Sequence, residues 1–180
     1  MTAVVYPGKS VVLRPLERDD WVRSLAWVND AEVAPRLGRC RPVTTDEHMH
    51  FYERAVLDPS NVFFAIEARD GAEHVGNIWL WNVHPQNRNA ELRVLVGCGR
   101  GRGWGSEAVG LLLDFAFNAL NLHKVYLYVL ASNEPAVKAF GRNGFECEGT
   151  LREEFFLGGA YVDVLRMALT RTRWNLKGEN

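Results

Sequence analysis

The sequence predicts an α/β fold of the α+β kind: a mixed, largely antiparallel central sheet of about seven strands with one parallel β-α-β unit and flanking helices. Three observations predict it. Short runs rich in β-branched and aromatic residues follow one another with turn-forming residues between them, as hairpins require. A single glycine-rich loop opens directly into a helical apolar stripe, and a strand-like run returns after that helix, which makes a right-handed parallel crossover. With 180 residues, 47% of them apolar and 11% aromatic, the chain can bury one ordinary core, so one domain over residues 1–180 is expected.

The elements follow in order. Residues 10–17, which contain VVLRPLE, alternate as a half-buried strand does. A helix opens at Asp19, places Trp21, Leu25 and Val28 on one face, and ends at Asn29-Asp30. Thr44 and Glu47 form a capping-box pattern ahead of a second helix over 48–57. Strands over 62–68, 75–83 and 90–97 are separated by Arg69-Asp70-Gly71, whose Asp-Gly pair signals a hairpin, and by His84-Pro85-Gln86-Asn87; they form an antiparallel meander. The stripe Ala108, Val109, Leu112, Leu113, Phe115, Ala116 and Leu120 predicts a helix over 105–121, and KVYLYVL over 124–130 is the returning strand. A short helix over 135–143 and a hairpin about Gly158-Gly159 complete the pattern.

Composition excludes several function classes. A formal net charge of -1 with scattered basic residues argues against a nucleic-acid partner. No apolar run approaches the roughly 20 residues of a membrane helix and no signal peptide is visible, so a soluble, cytoplasmic protein with no membrane partner is expected. Cys40, Cys98 and Cys147 lack the spacing of a metal or redox motif, and no metal is expected.

The chemistry points to residues 94–108, VLVGCGRGRGWGSEA, with glycines at Gly97, Gly99, Gly101, Gly103 and Gly105. Glycines let the backbone approach a ligand, and the unpaired N–H groups of the loop and first helical turn attract an anion, with phosphate the natural candidate. A Walker loop would end in Gly-Lys-Ser/Thr, whereas Gly105 is followed by Ser106-Glu107. A Rossmann loop would follow the first strand of several β-α-β units, whereas this one follows an antiparallel meander.

Arg100-x-x-Gly103-x-Gly105, followed by Asn133, Ala136, Phe140, Gly144 and Phe145, resembles the Gcn5-related N-acetyltransferase superfamily, and the resemblance spans nearly the whole chain. It looks closest to the RimJ/RimL-like branch through Leu13 to Glu17, Trp27 to Asp30 and Tyr161 to Val164. The resemblance implies acetyl-CoA as co-substrate, bound by a cofactor half at about 90–145, and an acceptor pocket shaped by the helices at about 19–57. It implies that the backbone of Arg100, Gly101, Arg102, Gly103, Trp104, Gly105 and Ser106 holds the pyrophosphate. Leu95 and Val96 would pair with the pantetheine amides, and Asn133 and Phe140 would border that arm. Sequence supports a helix cap equally well for Asn133. One residue fewer than usual separates Val96 from Arg100, so the bulge that splays the strands is expected to differ.

Glu91 is the candidate base, since an amine of pKa near about 10.4 must lose its proton before it attacks; pairing with Arg93 or Arg88 is the alternative role. Asn77, Trp81, Asn82 and His84 are candidates for the acceptor pocket. Phe140 and Ala136 stand where relatives carry a tyrosine and a serine, which leaves no evident general acid. The expected reaction is acetyl transfer to a primary amine of a small polar molecule, amino sugar, polyamine or protein N-terminus. Glu32, Asp46, Glu47 and Glu91 are expected to draw a cation, and a homodimer is expected by analogy alone. The competing reading is a catalytically silent CoA-binding or regulatory module.

Overall fold

The computed structural model describes residues 5–178; the remainder of the 1–180 span lies outside the described residues. In chain order the strands are β1 (Tyr6–Pro7), β2 (Val11–Pro15), β3 (Val62–Ala68), β4 (Glu73–His84), β5 (Asn89–Val96), β6 (Lys124–Leu130), β7 (Glu146–Leu157) and β8 (Ala160–Thr170). The helices are α1 (Arg18–Val28), α2 (Thr45–Leu57), α3 (Trp104–Asp114), α4 (Glu134–Arg142) and α5 (Arg171–Gly178). The sheet therefore has eight strands among the described residues, in the order β1-β2-β3-β4-β5-β6-β8-β7, rather than about seven. The addition is β1, two residues that pair Tyr6 with Leu13 and that carry no periodicity to read. Helix α5 was also not anticipated; its described face seats Trp174 against Phe117, ring centroids 5.7 Å apart.

All neighbouring strands are antiparallel except β5 and β6. The last hairpin turns at Gly158 and Gly159, both at positive φ, and inserts β8 between β6 and β7. Apolar alternation on β2 to β6 meets the buried stripe of α3, where Ala108, Val109, Leu112 and Leu113 are at most 1% exposed. Burial of this kind contributes about 25 cal/mol per Å² of apolar surface and is what holds α3 across the sheet. Helix α3 continues through a π turn at Phe115–Ala119, inside the helix expected over 105–121.

On the opposite side lie α1 and α2. Thr44 caps α2 by accepting from Glu47 N at 3.2 Å, and Glu47 Oε2 accepts from Thr44 N at 3.0 Å, completing the expected capping box. The two helices lock through Trp21 stacked on Tyr52, with centroids 5.6 Å apart. Asp20, 1% exposed, is clamped by Arg14, which also bridges to Glu67 at 2.6 Å. No helix among the described residues is long and apolar enough to cross a membrane.

Candidate active site

The parallel ladder between β5 and β6 is brief: it pairs Asn89, Ala90 and Glu91 with Lys124, Val125 and Tyr126 and then stops. Beyond Glu91 the strands part, because β5 stays registered on β4, Leu95 opposite Asn77 and Val96 opposite Gly76. The backbone edge over 92–96 is left without a partner on the β6 side. A cavity of about 660 Å³ opens in the gap. One side is formed by Leu127, Val129, Asn133, Ala136 and Phe140; the other by Arg36, Arg39, His48, Tyr52 and Trp79. Glu91, Arg93 and Leu95 lie between them.

The glycine loop runs from the end of β5 to the start of α3. Gly99, Gly101 and Gly103 all have φ between 65° and 88°, and Gly103 immediately precedes α3. A Cβ at Gly101 or Gly103 would meet nothing within 4 Å, so glycine is there for backbone conformation. At Gly97 the reason is space: a Cβ would lie 1.9 Å from Trp27 Cδ2. Trp104 packs beneath Gly99, with Arg102 over its ring at 5.0 Å, so it shapes the loop from inside. Arg100 reaches across to Glu32 at 3.0 Å. Asn143 Nδ2 donates to Ser106 Oγ at 2.9 Å, tying the start of α3 to the end of α4. Beside Gly103 and Ser106 is a second hollow of about 640 Å³, bordered by Gly8, Lys9 and Arg142. An α-helix N-terminus after an unobstructed glycine turn fits a pyrophosphate, and the adjoining hollow has room for the nucleotide end.

The candidate side chains are distributed unevenly. Glu91 lines the cavity with its carboxylate held by Arg93, Nε to Oε1 2.6 Å and Nη2 to Oε2 3.2 Å, so the anticipated pairing is with Arg93 rather than Arg88. Arg93 in turn lies over the Trp81 ring at 4.8 Å. Asn133 occupies the N-cap position of α4 but makes no side-chain capping bond, and its side chain is on the cavity wall. Phe140 is 8% exposed and meets Phe145 edge-on at 5.9 Å. Leu95 is 4% exposed, while Val96 lies against Gly105, whose Cβ would be 3.0 Å from Val96 Cγ2.

None of the four residues expected to line the acceptor pocket is on its wall. Asn77 is fully buried, with Nδ2 donating to the Tyr52 hydroxyl at 2.8 Å and Oδ1 facing His74 Nε2 at 2.7 Å. Trp81 is sandwiched between Phe51 and Arg93. Asn82, at φ 54°, donates its backbone N–H to Asn61 Oδ1 at 2.9 Å where β4 bulges. His84 accepts from Asn87 N at 3.1 Å, as a turn histidine does. Of the four acidic residues expected to draw a cation, Glu32, Glu47 and Glu91 are each paired with an arginine, Arg100, Arg41 and Arg93 respectively, and Asp46 lies in the first turn of α2. Burial and the nearby Glu73 push the Cys98 thiol up, away from nucleophilic use.

Sequence reasoning placed the acceptor pocket at the helices over about 19–57 but named none of the α2 side chains on its wall. His48 and Tyr52 are four residues apart, so the capping box that starts α2 also sets them on one face. His48 Nε2 donates to Trp21 O at 2.9 Å and lies 3.0 Å from Ser24 Oγ; burial, its largest influence, pushes it below the ordinary histidine range and keeps it neutral. Burial likewise raises the Tyr52 hydroxyl.

Residues 10–146 match the acetyltransferase (GNAT) domain. The chain belongs to the GNAT family of acetyltransferases. A spermidine N(1)-acetyltransferase of Escherichia coli K12 is 34% identical over 163 residues, 89% of this chain and 86% of that protein. An L-amino acid N-acetyltransferase of the same organism is 33% identical over 123 residues, 66% of this chain and 75% of that protein. The crystal structure of a spermidine N-acetyltransferase from Vibrio cholerae, in complex with CoA and spermine, superposes with a TM-score of 0.86 at 29% identity, covering 93% of this chain and 99% of that one. A structure of spermidine N-acetyltransferase from Vibrio cholerae is dodecameric. This GNAT chain is thus an acetyl-CoA-dependent N-acetyltransferase, with spermidine acetyltransferases among its relatives.

Proposed function

We propose that this enzyme acetylates the primary amine of a small molecule held in the 660 Å³ cavity, by direct attack within a ternary complex on one catalytic domain. The observation that carries this reading is the parting of β5 from β6 after Glu91, which opens the cavity between those strands beside the α1–α2 lobe, with the glycine loop following directly from β5. Similarity to spermidine acetyltransferases supports placing the chain beside them rather than in a RimJ/RimL-like branch.

In the reaction a C–N bond forms, the thioester C–S bond breaks, the amine gives up a proton and the sulfur leaves as thiolate. The 92–96 backbone edge receives the pantetheine arm as an added strand, Leu95 and Val96 supplying amide partners, and the loop over Arg100 to Ser106 binds the pyrophosphate. Asn133, free of any capping bond, aligns that arm from the β6 side. Holding both reactants in one cavity replaces a bimolecular encounter with an oriented one, the largest single advantage a site without a covalent intermediate has. Glu91 takes the amine proton directly or through water. Phe140 offers no proton to the departing sulfur, but a thiolate of pKa near about 8.5 leaves tolerably without one.

Self-assembly would involve the β7–β8 edge, where Leu151, Phe156 and Tyr161 are exposed. Sedimentation of a Phe156→Asp, Tyr161→Asp variant tests it. For the activity, the test is CoA release from acetyl-CoA on a broad amine panel. Amine-dependent release supports the reading; tight acetyl-CoA binding with no release on any amine supports the silent CoA-binding module.

A further inference from the structure

The acceptor end of the cavity has an unusual balance of charge. Its charged lining residues are Arg36, Arg39, Arg93, Glu91 and Glu154. Arg93 and Glu91 neutralise one another at 2.6 Å. Arg36 and Arg39 have no carboxylate within ion-pair distance among the described residues, which leaves two guanidinium groups facing one carboxylate, Glu154. Trp79 adds a buried indole N–H with no acceptor among the described residues, so hydrogen-bond donors outnumber acceptors on this wall.

The two arginines are also held in place. They lie on the connection between α1 and α2, in and beside a single 3-10 turn at Pro35–Leu37. Gly38 then adopts φ 69°, and the Phe155 ring of β7 packs where its Cβ would be, 2.7 Å from Phe155 Cε1. The turn is thereby pinned across the cavity mouth. Arg39 is close enough to bear electrostatically on His48 and Tyr52, pulling both towards lower pKa. The positive field therefore reaches the interior of the pocket.

A polyamine, with a positive charge on most of its nitrogens, would meet two unpaired guanidinium groups here. A carboxylate or phosphate meets two fork-shaped donors suited to bidentate contact. We propose that the acceptor is a primary amine that also carries a carboxylate or phosphate group, which Arg36 and Arg39 bind while the amine points at the thioester. The inference rests on the acetyl-transfer reading and deepens it.

Matched amines test the inference. Ethanolamine against O-phosphoethanolamine, glucosamine against glucosamine 6-phosphate, and an alkylamine against the α-amino and ω-amino carboxylic acids separate the anion from the rest of the molecule. Phosphate and carboxylate arms distinguish the two sources of charge. Spermidine and spermine are the cationic arm. The expected result is that at least one anionic acceptor exceeds its neutral partner in kcat/KM by about tenfold or more, the scale of a charge-assisted contact. In Arg36→Gln, Arg39→Gln that preference falls to near unity through acceptor KM, while KM for acetyl-CoA is unchanged. Both residues are exposed, and a melting curve confirms that the variant folds.

Preference for spermidine over every anionic amine, or an unchanged anionic preference in the double variant, overturns this inference and leaves acetyl transfer standing. A rise in acetyl-CoA KM alone also overturns it, by assigning the arginines to the cofactor. Absence of CoA release with every amine overturns the acetyl-transfer reading and this inference with it.

Discussion

Replacing Gly103 by glutamate, with glutamine as its control, isolates electrostatics at the cofactor loop. Gly103 has φ 82° and open space around a built Cβ, so both side chains fit and both carry the same left-handed strain, about 1–2 kcal/mol. Only the charge differs. At about 4 Å a carboxylate repels one pyrophosphate charge by about 1 kcal/mol in bulk water and about 4 kcal/mol at an effective dielectric of 20. The loop is open to solvent on one side, which places the difference near about 2–3 kcal/mol, or roughly 30- to 150-fold weaker acetyl-CoA binding for glutamate than for glutamine. Titration calorimetry with acetyl-CoA and with CoA measures it, and thermal melts should show both variants folded and equally strained. Affinities within threefold of each other would put the pyrophosphate elsewhere and refute the loop assignment.

Restoring a hydroxyl with Phe140→Tyr should raise kcat by about tenfold or more, since a positioned acid is worth about 10² to 10⁴; an unchanged kcat with intact acetyl-CoA binding means that the sulfur needs no proton from this position. Glu91→Gln should lower kcat/KM by about 10² in a stopped assay of CoA release, whereas a loss in His48→Gln with none in Glu91→Gln would move the proton-accepting role to His48. Asp20→Asn should cost about 3–5 kcal/mol, because Arg14 loses a clamped, buried partner; at about 2–4 °C per kcal/mol, a melting temperature lowered by less than about 3 °C would contradict this. Salt-bridge and backbone hydrogen bonds hold the Asp20 carboxyl below the usual range despite burial, so its contribution is present above the ordinary carboxylate pKa and is lost as pH falls through the folded value. His48 acts in the same direction at higher pH: its pKa is depressed by burial, so the unfolded chain binds the proton more tightly. Burial depresses His74 likewise, so stability is full above about pH 6.5 and declines below it by up to about 1.4 kcal/mol per pH unit for each histidine; His48→Gln should shrink that slope without abolishing it in denaturant titrations at pH 7.5 and 5.5.

Local chemistry was legible from residues 10 to 169. Alternation together with β-branched and aromatic runs located seven of the eight strands, because a strand writes its faces into successive residues; β1 has only Tyr6 and Pro7 and writes nothing. The capping box at Thr44 and Glu47 was readable because both hydrogen bonds close within three residues. Likewise, the run of glycines ahead of α3 was readable as a turn that lets the backbone approach closely, and Gly99, Gly101 and Gly103 do adopt positive φ there.

What the sequence by itself determined was the sheet-and-helix class, the glycine loop and, through the family resemblance carried by that loop together with Asn133 to Phe145, the expectation of acetyl-CoA. Only the tertiary structure decided which side chains share the acceptor cavity, since that depends on contacts between segments far apart in the chain. Arg36 and Arg39 come from the α1–α2 connection, His48 and Tyr52 from α2, Trp79 from β4 and Phe155 from β7. Whether a charge attracts a ligand also depends on its partner: Glu32 is answered by Arg100 and Glu47 by Arg41, while Arg36 and Arg39 line the cavity with no ion-pair partner among the described residues. Strand periodicity says which face a residue takes; the pairing of charges across a cavity is set by how those faces meet.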